Sequence, residues 1–178
     1  MKKKSSKNWI INQHRDQYFK KAKIEGYRSR AAFKLIEINS KFKILKRNTN
    51  LLDLGSYPGG WSQVASKIIL NGKILSVDMK EMKPISNVKF IKKDFLQEES
   101  QDFIFSYFGE KIDVIISDMA ADTTGNRDLD SIRTNSICLE VLNFSSKILN
   151  SKGILVSKIF MGQDFELVKK EAKKKFNK

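Results

Sequence analysis

Asp53, Asp78, Asp94 and Asp118 each stand at or near the end of an apolar run, and Lys158 lies inside another such run near its close. Lysine rarely occupies such a place without a partner. In open α/β sheets ligands bind outside the carboxyl ends of the strands, so Asp53, Asp78 and Asp94 are expected to converge on one crevice. The stretch Leu51 to Trp61 is the most informative. An apolar run breaks into glycines and resumes as an amphipathic segment, Trp61 to Leu70, which reads as strand, tight loop and helix. Gly55 lets the backbone turn, Pro58 stiffens the loop, and Gly59 and Gly60 bare the amides of a helix N-terminus, where electron-rich ligand groups are favoured. The spacing Gly55-x-x-x-Gly59-Gly60 is not the G-x-G-x-x-G that cradles a dinucleotide pyrophosphate. Asp53 would repel a pyrophosphate and attract a sulfonium or an amine. The bland alternatives are a glycine turn with no ligand and aspartates that only cap turns.

Composition narrows the chemistry. The 178 residues suit one domain, and 40% hydrophobic content is ordinary for a globular protein. No apolar run approaches the length of a membrane span, and Met1 to Ser6 leads into polar residues rather than a signal-peptide core, so a cytoplasmic protein is expected. The single cysteine, Cys138, excludes an internal disulfide, and its place in an apolar helical pattern marks it as a packing residue. The single histidine, His14, argues against His/Cys zinc sites and a Ser-His-Asp triad, so no metal is expected. The net charge of +14 is concentrated at the ends: residues 1–47 carry 15 basic and 3 acidic side chains, whereas residues 48–157 carry 12 and 14. A basic front on a nearly neutral middle is suited to gripping a polyanion, with nucleic acid the expected partner.

The elements that must position these residues follow from periodicity. Residues 1–8 taken alone read as a solvated basic tail, while Trp9, Tyr18 and Phe19 among basic residues suit RNA, so residues 1–26 are assigned to an RNA-binding segment. From Tyr27 the pattern is helical, with Ser29 as N-cap, Phe33, Ile36 and Leu35 facing a core, and Lys34 beside that stripe, where a snorkelling surface lysine is the simple reading. Strands are expected over 51–55, 73–78, 88–94, 113–119 and 153–160, and helices over 61–70, 97–108, 131–149 and from Asp164 onward. Ala120 to Asp130 is too long and polar for a simple turn and is a candidate substrate loop. Strands alternating with helices define an α/β class.

Four motifs in order resemble the FtsJ-type ribosomal RNA 2′-O-ribose methyltransferases: Arg28-Ser-Arg-Ala-Ala-Phe-Lys34-Leu, Asp53-Leu-Gly-Ser-Tyr-Pro-Gly-Gly-Trp-Ser-Gln63, Ser117-Asp118-Met-Ala, and Val156-Ser-Lys158-Ile-Phe-Met-Gly162. The resemblance implies a Rossmann-like fold with a mostly parallel central sheet flanked by helices, with S-adenosylmethionine (SAM) as methyl donor. It also implies methylation of a uridine 2′-hydroxyl in large-subunit rRNA, within the assembled ribosomal subunit. Carried onto this chain, it puts Asp53, Gly55, Gly59, Trp61, Asp78, Asp94 and Asp118 around the donor, with Gly59 and Trp61 at its methionine end, Asp78 at its ribose and Asp94 by its adenine. Lys34, Asp118 and Lys158 match three members of the family's Lys-Asp-Lys-Glu catalytic set. The glutamate has no counterpart, and the family fold continues through two more strands. The methyltransferase domain, residues 27–178, is therefore expected to lack its last strands and to be incomplete at its C-terminus. Tyr57 and Ala121-Asp122 also depart from the family pattern, at the donor pocket and in the substrate loop.

The residues make chemical sense without the family. A 2′-hydroxyl is a poor nucleophile and a sulfonium methyl a strong electrophile, so in-line placement and proton removal are what the protein must supply. Lys158 serves as base if neutral, or steers the hydroxyl and offsets developing negative charge if protonated, with Asp118 holding it. Two rival readings are an assembly factor that binds RNA but is catalytically incomplete, and a small-molecule methyltransferase, the latter at odds with the basic front.

Overall fold

The computed structural model of the chain describes residues 17–176. The Trp9 part of the proposed RNA-binding segment lies outside them. Five strands are formed: β1 (Leu51–Leu54), β2 (Ile74–Asp78), β3 (Lys89–Lys92), β4 (Ile112–Ser117) and β5 (Leu149–Ser157). They make one sheet in the order β3-β2-β1-β4-β5, with every neighbouring pair parallel. The chain steps outward from β1 to β3, then returns to the other side of β1. The carboxyl ends of β1 and β4 therefore lie at a topological switch point, where such sheets open a crevice.

Alternation along β1 decides what faces where. Leu51 packs with Ile74, Val114 and Ile116 against α2 (Ala31–Phe42) and α3 (Gly60–Ile68), through Ala32, Leu35, Trp61, Val64 and Ala65. Leu52 and Leu54 face the opposite layer, where Phe95, Ile104 and Phe108 of the α4 region (Glu98–Phe108) meet Val141, Phe144 and Ile148 of α5 (Arg127–Ile148). Both faces are covered, which is why the strands read as near-continuous apolar runs. Asp53 shares its parity with Leu51, so its carboxylate points to the α3 layer. It is 1% exposed, in register with Ser76 on one side and Ile116 on the other.

Several boundaries differ from the sequence expectation. Arg30, not Ser29, is the residue preceding α2, and no side chain caps that helix; Ser29 instead packs on Gly60, where a Cβ would stand 2.2 Å from its hydroxyl. α5 begins at Arg127, four residues earlier than expected, because Asn126 caps it by accepting from the amides of Asp128 and Leu129. That shortens the polar loop after β4. β5 begins at Leu149 and carries a register irregularity against β4 between Ile112 and Val114. Residues 17–24, within the segment expected to bind RNA, form a helix, α1 (Gln17–Ile24). The chain continues into α6 (Phe165–Lys175), which packs on α5 through Val168. Among the described residues no helix is long and apolar enough to cross a membrane.

Gly72, in the turn entering β2, marks a close backbone approach: a Cβ there would lie 1.9 Å from the Thr49 carbonyl oxygen. Backbone cannot yield as a side chain can. Gly72→Ala is expected to lower stability by about 1–3 kcal/mol, read as a lower urea midpoint at unchanged slope. An unchanged midpoint would show that this turn can open at no cost.

Candidate active site

The loop between β1 and α3 is held by its neighbours and bare towards solvent. Gly55 (φ 74°) donates its amide to the Val77 carbonyl at 2.9 Å, and its α-carbon lies so close to Met119 that a Cβ would stand 2.2 Å from that side chain. Gly59 (φ 104°) precedes α3 and is crowded by Met82, Arg28 and Ile85. Both positions need the conformation glycine adopts without strain. Between them the Tyr57–Pro58 peptide is cis. The Tyr57 amide donates to Asp78 Oδ2 at 2.8 Å, and the Lys80 amide to Asp78 Oδ1 at 2.7 Å. A carboxylate has about four acceptor positions, so Asp78 retains capacity for two further donors.

Two cavities lie over the carboxyl ends of the strands and share Gly55, Tyr57 and Asp118. The first, about 460 Å³, is lined by Asp53, Trp61, Ser29, Arg30 and Ala31 among others. The second, about 580 Å³, is lined by Asp78, Asp94, Phe95, Met119 and Lys158. Asp53 thus lines one cavity and Asp78 and Asp94 the other, with Asp118 and the half-exposed Tyr57 common to both. Asp94 also turns its own chain, accepting from the Leu96 amide at 3.0 Å. Trp61 is 6% exposed and its indole donates to the Ala31 carbonyl at 2.7 Å, so it pins α2 to the loop as well as lining the first cavity. Ser56 is buried, and its hydroxyl has no hydrogen-bond partner among the described residues. A buried hydroxyl without a partner is costly, and a ligand in the first cavity, which Ser56 lines, would relieve it.

Asp53 is the anchor of the first cavity. Ser62 Oγ donates to its Oδ2 at 2.5 Å and lies 2.8 Å from Ser76 Oγ. Burial pushes the Asp53 carboxyl up to about 7; the Ser62 hydroxyl pulls it down, and the carboxylates of Asp118 and Asp78 raise it further.

At the seam stands the one ion pair among the predicted residues. Lys158 Nζ lies 3.0 Å from Asp118 Oδ1 and also donates to the Asp118 carbonyl oxygen. Asp118 and Lys158 lie just past the ends of β4 and β5, and the Lys158 amide donates to the Ser117 carbonyl at 2.9 Å, extending the β4–β5 ladder by one bond. Parallel pairing therefore brings residues 40 positions apart in sequence into contact. Lys34 is exposed and is not among the residues lining either cavity. It stands one helical turn beyond Arg30 and Ala31, which do line the first, and so lies on the same side of α2.

Residues that sequence reasoning did not single out hold this site in place. The Arg28 guanidinium donates to the carbonyls of Lys83 (2.5 Å) and Pro84 (2.6 Å) and reaches that of Pro58 (3.5 Å). Gln63 accepts from the Arg28 amide at 3.0 Å and donates to the Gly26 carbonyl at 2.9 Å. The segment before α2, the glycine loop and the loop after β2 are thus tied together. Both residues lay inside recognised motifs, but their bonds go to backbone far off in sequence, which no local pattern reveals.

A parallel sheet in this order, with a glycine loop and a ligand-sized crevice at its switch point, defines a Rossmann-like α/β fold. The chain belongs to the FtsJ-like methyltransferase family, which matches residues 27–178. It is 46% identical over 175 residues to the ribosomal RNA large subunit methyltransferase E of Pelagibacter ubique, covering 98% of this chain and 86% of that protein. To the protein of the same name from Rickettsia akari it is 47% identical over 164 residues, covering 89% of this chain and 72% of that one. A crystal structure described as a ribosomal RNA methyltransferase of Plasmodium falciparum superposes with a TM-score of 0.80 at 35% identity, over 85% of this chain and 88% of that one.

The raised Asp53 has a consequence for stability. Unfolded, its carboxyl titrates near 3.9. Between that value and about 7 the folded chain holds a proton that the unfolded chain has released, so this group's contribution is lost as pH rises through the folded value. Asp53→Asn removes that dependence. The stability of the variant relative to the native protein should climb between pH 5 and 7 and level off above, measured by denaturant unfolding. A constant difference across that range would show that Asp53 is ionised throughout.

Proposed function

We propose that this protein transfers a methyl group from S-adenosylmethionine to the 2′-hydroxyl of a uridine ribose in large-subunit rRNA, in the cytoplasm and on the assembled ribosomal subunit. The observation that carries the reading is the Lys158–Asp118 pair, held at the seam of two cavities beside a glycine loop. The names of the relatives support the substrate class, since those proteins act on large-subunit rRNA.

The residues present suit the donor. Asp78 can take the ribose hydroxyls with its remaining acceptor positions, and Asp94 with Phe95 lies where an adenine would fit. Gly55 and Trp61 bound the methionine end, with Ser56 and Asp53 offering polar groups to its charged atoms, while Gly59 lines neither cavity and shapes the turn into α3 behind them. When bound, S-adenosylmethionine supplies an electrophilic methyl on a sulfonium. Asp53, near half-protonated at neutrality in the absence of a cation, becomes a full negative charge beside one.

Lys158 Nζ, fixed by both the carboxylate and the carbonyl of Asp118, holds the hydroxyl in line; as the neutral amine it takes up the hydroxyl proton, and as the ammonium it offsets the charge that develops on the oxygen. Lys34, on the cavity side of α2, completes the set of three and offers a further cation to the RNA backbone. The basic excess of residues 1–47 supports binding through phosphates.

Transfer of labelled methyl groups to ribosomal subunits, free rRNA and no RNA tests this directly. Subunits should be the best acceptor; labelling of none would favour an RNA-binding assembly factor. Asp78→Ala should weaken donor binding at least about tenfold, since each charge-assisted bond contributes about 1.5–3 kcal/mol, read by calorimetry. Lys158→Ala should leave donor affinity intact and lower turnover on the order of 10²–10⁴-fold. A variant keeping more than about a tenth of the rate would move Lys158 out of the reaction.

A further inference from the structure

The buried side of α5 changes character along its length. Its later turns bury Val141, Phe144 and Ile148 in the core under the sheet, as an apolar stripe should. Its first turns bury polar side chains instead: Asp130 is 6% exposed, Ser131 2%, Thr134 1% and Asn135 0%. Spacings of three, four and seven put Asp130 and Thr134 on the side of Val141 and Ile148, and Ser131 and Asn135 on the adjoining flank shared with Cys138 and Leu142. Burying so many polar groups is costly unless each has a partner, and the partners they find are informative.

Asn135 makes a reciprocal pair with the backbone of Phe160, donating from Nδ2 to the carbonyl at 3.0 Å and accepting the amide on Oδ1 at 3.0 Å. Phe160 is two residues past Lys158. Ser131 only packs against Gly162, where a Cβ would stand 1.9 Å from the serine hydroxyl, and that hydroxyl has no hydrogen-bond partner among the described residues. Cys138 Sγ and Ser157 Oγ, the latter just before Lys158, are 3.4 Å apart. The other strand end is held by the same helix. Thr134 Oγ1 accepts the Ala121 amide at 3.3 Å, and Asp130 takes the Thr124 amide at 2.7 Å, the Thr124 hydroxyl at 2.8 Å and the Gly125 amide at 3.3 Å. These donors, the Thr124 amide first, hold the Asp130 carboxyl below the usual carboxylate range. Asp118 lies three residues before Ala121.

We propose that the first turns of α5 set the relative placement of Lys158 and Asp118, and that Asn135 is a positioning residue for Lys158. The inference rests on the reading of Lys158 as the group that acts on the hydroxyl. β4 and β5 end at Ser117 and Ser157, and beyond the Lys158 amide the two chains separate. From there the ladder no longer fixes how far apart they run. α5 grips both departing segments from beneath, and because Thr134 and Asn135 are adjacent on a rigid helix, the distance between the two segments is set by that helix. Donor-binding groups on β1, β2 and the loop after β3 are not held by these residues.

The test is a kinetic comparison on ribosomal subunits of the native protein, Asn135→Ala and Asn135→Asp. Asn135→Ala should lower kcat on the order of 10²-fold, the scale of a misplacement of about 1 Å, with donor affinity within about twofold of native. Asn135→Asp is the conservative variant. Protonated, the introduced carboxyl donates to the Phe160 carbonyl and accepts its amide, as the amide side chain does; ionised, it faces that carbonyl as a second acceptor. Its kcat relative to native should therefore recover as pH is lowered, which a loss of packing alone would not produce. Native-like kcat in Asn135→Ala, or an equal fall in kcat and donor affinity, would overturn the inference. If the native protein labels no RNA, the functional reading fails by itself, and this inference is decided without turnover. Asn135→Ala must then speed hydrogen exchange at the Phe160 amide and shift the Lys158 side-chain ammonium resonance. An unmoved Lys158 resonance overturns it.

Discussion

A carboxylate inside the apolar layer of a parallel sheet is the constraint from which the rest of this site follows. Asp53 occupies a position whose parity with Leu51 turns it to the α3 side, where every neighbouring strand residue is otherwise apolar or a serine. The sheet accommodates it with two hydroxyls, Ser62 from α3 and Ser76 from β2, linked in a chain of short hydrogen bonds. For Ser62 to reach it, α3 must begin within a few residues of β1, which is what the compact Gly55–Gly60 loop achieves. The loop in turn can be that tight only because Gly55 adopts positive φ and the Met119 side chain fills the space where its Cβ would be. Met119 follows Asp118, so the close packing at Gly55 also fixes where the second strand end begins. The glycine loop and the end of β4 are packed together at this contact.

The parts of the site legible in the sequence are those made by local signals. Asp53, Gly55, Gly59 and Trp61 fall within one strand-loop-helix unit, and the apolar runs ending near Asp78, Asp94 and Asp118 mark the strand ends that place them. Cys138 is buried in a helix against Leu142 and Val168, as its apolar neighbours imply. The limits were set wherever a side chain serves a distant backbone. Ser29 looks like a helix cap because it precedes an amphipathic run, yet the close approach of Gly60 claims it. The start of α5 was misplaced because Asn126 to Asp130 is polar, and polar residues inside a helix read as loop when their burial is unknown. The same polarity conceals the function of Asp130, Thr134 and Asn135, whose partners lie up to 25 residues away. Lys34 shows the converse: its motif marks it, but its exposed position on α2 becomes meaningful only beside Arg30 and Ala31.

The two halves of the crevice are built on different principles. On the side proposed to hold the methyl donor, backbone amides, glycines and single carboxylates at strand ends make a surface that needs only the sheet and one loop to exist. On the side proposed to hold the ribose, the groups are a lysine and the carboxylate that pairs with it, emerging where the β4–β5 ladder stops. A flexible four-carbon side chain has many rotamers to lose, so pairing alone stabilises one geometry weakly at partial exposure. Lys158 and Asp118 side chains are each 24% exposed. Holding the backbone on both sides of the pair is therefore worth more than strengthening the pair, and this is where the buried polar groups of α5 are spent.

Arg28 applies the same logic to the opposite rim. Its guanidinium finds three carbonyl oxygens, from the glycine loop and from the loop that follows β2, and its amide is held by Gln63 of α3. A planar fork of donors can satisfy several backbone acceptors at once in a fixed arrangement, which a lysine ammonium on a flexible stem cannot. Arg28 belongs to the segment leading into α2, the helix that carries Lys34 and is pinned by the Trp61 indole. The basic approach to the crevice is thereby attached to the donor loop by a side chain and an indole bond rather than by the sheet. The glycine loop and the segment bearing Arg30, Ala31 and Lys34 are therefore one connected unit, so that under the proposed function a shift of the loop would be passed to the side from which RNA is expected to approach.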